Sequence, residues 1–373
     1  MNIPKLRFKD NNGNDYPQWE KKLIKDILKI YHGKDYKNEP NEKKLYPVLG
    51  TGGIITYIDK FLCDWECVLI GRKGTINKPQ YMKTPFWSVD TLFYSKPKLK
   101  QNPKFQYYLF QNINWKIYDE STGVPSLSAS TIEHINRFIP TYAEQEKIAS
   151  FFSTIDKKIE NLENTITSLE NQKKGLLQQI FSQKLRFKDK NGNNYPNWEK
   201  KKLEDISNIT MGQSPDSDFV NTEKIGTPFL QGNAEFTNKY PIEKYWCTKP
   251  QKIANPTDIL LSVRAPVGAI NIANKKFCIG RGLSAISFNC NKLFGKYNLE
   301  FNLFQLIKKS QGSTFSSINK KDISEVILFI PCLEEQTKIA DFLSAFDRKL
   351  DNQKAQLEHW QQIKKGLLQQ MFV

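Results

Sequence analysis

The sequence predicts a mixed α/β protein built twice, with two similar domains joined by two long antiparallel coiled-coil helices under a pseudo-twofold internal repeat. Two repeats and one contrast predict it. Lys5–Ile27 and Lys184–Ile206 differ at only six of 23 aligned positions, at an offset of 179. IPTYAEQEKIASFF from Ile139 and KKGLLQQIF from Lys173 return as IPCLEEQTKIADFL from Ile330 and KKGLLQQMF from Lys364, at an offset of 191. The regions between these repeats share only an outline. The frame is copied and the contents diverge.

The first repeat is short. Asn12-Gly13 and Asn191-Gly192 predict tight hairpin turns between RFKD and the following YPxW. Trp19 and Trp198 are expected as packing anchors. The run D-x-N-x-N resembles the start of a calcium loop. It fails at the sixth position, Asp15 or Asn194, which should be Gly, and at the twelfth, Lys21 or Lys200, which should be Glu.

The unlike regions follow one outline. Region one holds YPVLGTGGI, CVLIGRKGTINKP and TPFWSVDTLFY; region two holds TPFLQGNAEF, DILLSVRAPVGAIN and KFCIGRGLSAISF. Each reads as a Pro-led strand into a Gly turn, a buried strand into a basic turn, then a strand pair. Pro47 matches Pro228 at offset 181, and Leu69 matches Leu260 at 191, so most of the extra length enters between these strands. Arg72 falls beside Arg264 or just before it, and Asp90 falls opposite Arg281.

The second repeat predicts a helix of about 40 residues, roughly 55–60 Å long. Ile148, Phe152, Ile155, Ile159, Leu162, Ile166, Leu169, Leu176 and Ile180 step by threes and fours, with Lys173 in the one missing slot. Ile339, Leu343, Phe346, Leu350, Leu357, Trp360, Leu367 and Met371 keep the same rhythm, with Gln353 and Lys364 in the seam. Such a stripe needs a partner, and two matched helices in one chain most simply supply it to each other. Gly175 and Gly366 predict a close approach or a kink.

Composition narrows the class. The chain has 373 residues and a 39% hydrophobic content, enough for two packed domains. No apolar run is long enough to span a bilayer, and MNIPKLRFKD lacks the apolar core of a signal peptide. Six scattered cysteines, with no CxxC, read as reduced thiols in a cytoplasmic protein.

The net charge of +16 is unevenly spread. Residues 28–125 carry 15 positive and 9 negative side chains, and 207–315 carry 13 and 7, so each region holds +6. Residues 126–182 sum to −1 and 316–373 to zero. Two basic blocks on a neutral frame point to phosphate-bearing partners. Arg offers paired donors to guanine, Gln and Asn match adenine, and Asp accepts from cytosine. The candidates for DNA contact are Thr51, Gly52, Arg72, Lys73, Thr75 and Asp90 in region one. In region two they are Gln213, Ser214, Gln231, Asn233, Arg264 and Arg281. No phosphate-binding loop, nucleotide fingerprint, catalytic triad or metal set is readable. A self-contained nuclease and a scaffold without DNA are the alternatives. The first lacks a metal site, and the second leaves both basic blocks unexplained.

KLRF…W-E-x-K, the EQxKIA opening of each helix and its KKGLLQQxF end resemble the specificity subunits of type I restriction-modification enzymes. VLIGRKGTI with PFWSVDTLFY, and DILLSVRAPVGAIN with CIGRGLSAI, are similar to their target recognition domains. The resemblance runs along nearly the whole chain, twice. It implies target recognition domains over 1–143 and 183–334 and spacer helices over 144–182 and 335–373. It further implies that each domain reads one half of a bipartite double-stranded DNA site. The helices would set the gap and dock two modification subunits, which carry S-adenosylmethionine. Restriction subunits using ATP and magnesium would join them. No cofactor and no catalytic residue is expected in this chain.

Overall fold

The computed structural model describes residues 4–237, 240–311 and 317–372. It divides into two compact units: Met1–Asn164 with Lys354–Val373, and Thr165–Gln353.

Unit one contains β1 (Glu20–Leu23), α1 (Ile24–Ile27), β2 (Leu28–Tyr31), β3 (Tyr46–Gly50), β4 (Gly53–Ile58), β5 (Cys67–Gly71), β6 (Gln80–Met82), β7 (Trp87–Ser88), β8 (Leu92–Pro97), α2 (Pro103–Asn112), α3 (Ala129–Glu133) and β9 (Asn136–Ile139). Helix α4 (Tyr142–Phe181) follows and belongs to this unit as far as Asn164. Strands β2-β8-β5-β6 form an antiparallel sheet, β4-β3-β7 form a second sheet in which β3 and β7 are parallel, and β1 pairs with β9.

Unit two repeats the plan with β10 (Glu199–Lys202), α5 (Leu203–Ile206), β11 (Ser207–Met211), β12 (Val220–Asn221), β13 (Thr227–Leu230), β14 (Tyr245–Cys247), β15 (Ile253–Ala254), β16 (Ile259–Ser262), β17 (Ile270–Ile272), β18 (Phe277–Ile279), β19 (Leu283–Phe288), α6 (Lys292–Gln311), α7 (Lys320–Ser324) and β20 (Ile327–Ile330). Helix α8 (Leu333–Met371) belongs to unit two up to Gln353 and to unit one from Lys354. The sheets are β11-β19-β16-β17 and β12-β14-β13-β18-β15, with β10 paired to β20 and β13 parallel to β18. The extra length of region two falls mainly between β13 and β14. The offset between equivalent residues grows from 181 at Pro47/Pro228 to 189 at Tyr57/Trp246 across that connection.

Every polar position of EQxKIA has a job. Glu144, fully buried in the first turn of α4, takes Nε and Nη2 of Arg7 at 3.0 and 2.7 Å and the indole N–H of Trp19 at 3.1 Å. Glu335 repeats this with Arg186 at 3.2 and 2.7 Å and Trp198 at 3.0 Å. The carboxylate bond raises each guanidinium pKa. The amide of Gln145 accepts from Asn102 N–H and donates to the Pro140 carbonyl, fastening the start of α2. Gln336 does the same with Asn291 and Pro331 for α6. Lys147 donates to the Lys9 carbonyl at 2.8 Å, and Lys338 to that of Lys188 at 2.6 Å. Thus Trp19 and Trp198 are packing anchors that also carry a buried hydrogen bond.

The two lysines in the helical seam form ion pairs. In unit one Lys364 meets Asp156 at 2.8 Å, and in unit two Lys173 meets Asp347 at 2.5 Å. Within unit one Phe152 packs on Phe372 and Asp156 pairs with Lys364, so the number rises along α4 as it falls along α8 and the two helices run antiparallel there. Tyr108 and Tyr297 donate to the same two aspartates, each at 2.6 Å, and burial raises both phenol pKa values. Ile148, Phe152, Ile155, Leu162, Ile166, Leu169, Ile339, Leu343 and Leu350 are buried, while Ile159, Phe346, Leu357 and Trp360 are half-buried. The outer seam residues enter the domain cores as well. Ile148, Phe152 and Ile155 cluster with Leu109 and Leu368, and Ile339 and Leu343 with Phe181 and Phe294.

The tight turns expected at Asn12-Gly13 and Asn191-Gly192 form, each closed by one antiparallel bridge, Lys9 with Asp15 and Lys188 with Asn194. Asp10 and Asp189 each take two backbone N–H groups of the turn at 2.8 Å, which competes with strand pairing and lowers their pKa values. Neither Gly175 nor Gly366 marks a close approach. A Cβ at either would meet nothing within 4 Å, and both helices run on through them.

Breaking a buried ion pair by removing one partner strands the other and costs about 3–5 kcal/mol. Glu144→Ala is expected to destabilise unit one, and Glu335→Ala unit two, by roughly that amount. Denaturant unfolding checks it, and an unchanged midpoint in both variants would show that the clamps contribute nothing.

Candidate nucleic-acid interface

In each unit the candidate residues gather around the turn that follows the short parallel strand. In unit one this turn joins β7 to β8. Three backbone bonds tie its neighbours to it: Lys34 N–H to Ser88 O (2.8 Å), Val89 N–H to Leu49 O (3.0 Å) and Arg72 N–H to Thr91 O (2.8 Å). Unit two makes the same three around the β18–β19 turn: Gln213 to Ile279 (2.9 Å), Gly280 to Leu230 (2.8 Å) and Val263 to Gly282 (2.9 Å). A fourth bond, from Leu127 N–H to Arg72 O or from Ile318 N–H to Val263 O, brings in the segment before the short helix.

These bonds fix the correspondence. Lys34 stands where Gln213 stands, Gly50 where Gln231 stands, and Asp90 where Arg281 stands. Arg72 occupies the place of buried Val263, one residue before Arg264, whose true counterpart is Lys73.

Glycine allows the crowding. A Cβ on Gly33 would lie 2.0 Å from the Val89 carbonyl oxygen, and one on Gly212 would lie 2.1 Å from that of Gly280. No side chain fits there.

All six unit-one candidates lie on these loops. Thr51 and Gly52 form the β3–β4 turn, whose Gly50 and Thr51 carbonyls accept from Gln80 Nε2 at 3.1 and 3.4 Å. Arg72, Lys73 and Thr75 follow β5, with Arg72 Nη1 donating to the Asp90 carbonyl at 3.3 Å. The Cβ position of Gly74 lies 4.0 Å from the Thr51 hydroxyl, so these two loops touch. Lys73 bridges to Ser126, whose segment is pinned where Asp119 accepts the N–H groups of Ser126 and Ser121, lowering its pKa. A 430 Å³ cleft opens here between His32, Arg72, Lys73, Glu120 and Ser128. Hydroxyls of Thr131 and then Ser128 hold the Glu120 carboxyl pKa down.

In unit two, Ser214 and Gln231 exchange hydrogen bonds at 3.0–3.2 Å, and the Arg281 N–H reaches the Ser214 hydroxyl at 3.3 Å. Gln213 precedes them. Asn233 opens the 3-10 turn Asn233–Glu235, two residues beyond Gln231. Arg264 leaves the end of β16, with the Ser262 hydroxyl within 3.0 Å of its carbonyl. Lys73, Asp90, Gln213, Gln231, Arg264 and Arg281 are exposed.

Sequence reading missed Lys34 and Asp35, the counterparts of Gln213 and Ser214. The signal was available: Gly33 and Gly212 continue the 179 offset beyond the near-identical block. Among the described residues no group of three His, Cys, Asp or Glu could hold a metal, and no helix is long and apolar enough to cross a membrane. All six cysteines are free.

A duplicated α/β unit with matched loop hubs, each seated on the start of a long helix, defines an internally repeated protein with two equivalent loop surfaces. Comparison with known proteins sharpens this. The family described as type I restriction modification DNA specificity domain matches residues 16–171 and again 195–359. A Methanocaldococcus jannaschii protein named as the specificity subunit of the type I restriction enzyme MjaX is 33% identical, over 97% of this chain and 94% of its own length. The MjaVIII specificity subunit of the same organism is 22% identical over the same shares. The crystal structure of a type I restriction-modification system S subunit from M. genitalium superposes with a TM-score of 0.69 at 17% identity, over 100% of this chain and 99% of that one. A chain from a type I restriction-modification assembly gives 0.58 at 22% identity, over 95% and 97%. The chain therefore belongs to the type I restriction-modification DNA specificity family. It is a non-catalytic specificity subunit with two target recognition domains.

Gly212→Ala forces backbone apart at the second hub. It is expected to lower the stability of unit two by roughly 1–3 kcal/mol while leaving unit one unchanged. Hydrogen exchange resolved by segment would show protection lost within 165–353 only; uniform protection would refute the packing argument.

Proposed function

We propose that each hub reads one half of a bipartite DNA site, with Thr51, Gly52, Arg72, Lys73, Thr75 and Asp90 serving one half. Gln213, Ser214, Gln231, Asn233, Arg264 and Arg281 serve the other. The supporting observation is that identical backbone bonds carry unlike side chains. Asp90, an acceptor suited to cytosine, stands where Arg281 offers paired donors suited to guanine. The basic surplus supplies affinity through counterion release, and the loop side chains supply choice.

Helices α4 and α8 hold the two readers at a fixed separation and dock two modification subunits that carry S-adenosylmethionine. Restriction subunits using ATP and magnesium complete the assembly, which works in the cytoplasm. This chain contributes recognition and no bond chemistry.

The test is selection of duplexes from a random library by this chain co-purified with its modification subunit. Two short motifs at a fixed gap are expected; salt-sensitive binding without a motif would overturn the reading. Asp90→Ala and Arg281→Ala should each relax one half only, by about 5- to 150-fold at one base pair. A heptad inserted in both α4 and α8 adds about 10 Å of helix, and the gap should lengthen by about three base pairs. An unchanged gap in an active complex would remove the ruler.

A further inference from the structure

The first hub contains an apolar element that no candidate above accounts for. Ile54 and Ile55 are adjacent on β4, and both are exposed, at 57% and 52%. In a regular strand one of two neighbours would turn inward. Here the register shifts between Val48 and Leu49, so that Ile54 faces Leu49, Thr56 faces Val48, and Ile55 is the extra residue. A bulge of this kind re-aims a side chain.

Its direction is given by Gly50. A Cβ built on Gly50 would lie 2.8 Å from Ile55 Cδ1, with Val89 Cγ2 at 3.7 Å. Gly50 is the counterpart of Gln231, as fixed by the Val89–Leu49 and Gly280–Leu230 bonds. The terminal methyl of Ile55 therefore fills the space where the Gln231 side chain begins in the second hub. There, Gln231 Oε1 lies 2.8 Å from the Cβ position of Gly280, and the amide is bonded to Ser214. One hub presents an amide at this point and the other presents a hydrocarbon.

We infer that Ile55 is a specificity-determining residue of the first reader, making apolar contact with the 5-methyl group of a thymine, with Ile54 beside it. This deepens, and rests on, the proposal that the hubs read DNA. The thymine methyl is the one apolar mark in the major groove, and apolar side chains recognise it by contact. Lys73 and Arg72 lie on the loop that touches Thr51 and bring phosphate-seeking charge beside this patch. Gly50 and Ile55 act together, because any side chain at residue 50 would displace the methyl group.

The test uses the full complex with modification subunits and duplexes carrying the site selected from the random library. Deoxyuridine replaces thymidine at one position at a time, deleting only the methyl. The half-site belonging to the first hub is the one relaxed by Asp90→Ala. One thymine in that half is expected to lose binding about fourfold on replacement, the effect of one buried methyl. In Ile55→Ser the wild-type site should bind about that much more weakly, and the uridine replacement should then cost nothing further. Discrimination in the other half, unchanged in Ile55→Ser, serves as the folding control. Equal uridine effects in wild type and Ile55→Ser, or none in the first half, would overturn the inference while leaving bipartite reading intact. Absence of any selected motif would instead sink the reading on which it rests.

Discussion

Each half of the molecule depends on a carboxylate with no access to water. Glu144 and Glu335 sit in the first turn of the long helices, where the helix dipole favours negative charge, and each is closed off by an Arg and a Trp from the short repeat. A bidentate guanidinium accepts only one orientation of its partner. The clamp therefore sets the angle at which a domain leaves its helix. The neighbouring Gln then fixes a second helix to the same point through a backbone amide and a carbonyl. One helical turn joins three elements, which is why this frame is nearly invariant between the two copies.

The loop hubs follow the opposite rule. Their geometry comes from main-chain hydrogen bonds and from glycines with no room for a side chain, so it does not depend on which side chains project outward. Asp90 can face Arg281 across the repeat, and Lys34 can face Gln213, without altering the fold. Unlike side chains at equivalent places leave the main-chain frame of each hub unchanged, even where one of them bonds within it, as Gln231 does with Ser214.

Much of this was legible in the sequence. The duplication, the helices, the seam and the loops holding the candidate residues all follow from offset and periodicity. The lysines in the seam looked like flaws, because their partners Asp156 and Asp347 lie off the apolar stripe and reveal themselves only across the helix pair. The Asp-led turns hid their side-chain bonds behind a hairpin pattern. Lys34 went unseen because the first copy retains only a single glycine of the motif around it. Ile55 gave no sign at all. A bulge depends on pairing, and the alternation of β4 read alone places one isoleucine inward.

The long helices also impose an order in time. Unit two is a continuous stretch, Thr165–Gln353, and can close as soon as it leaves the ribosome. Unit one cannot. Its aromatic cluster of Trp19, Phe105 and Phe152 is completed by Phe372, with ring centroids 5.5–6.3 Å apart, and the Leu6 N–H bonds to the Gln370 carbonyl. About 200 residues separate the end of its first segment from that last aromatic. At about 5–20 residues per second the nascent domain waits roughly 10–40 s with its core open. The half of the molecule made first is thus the half finished last.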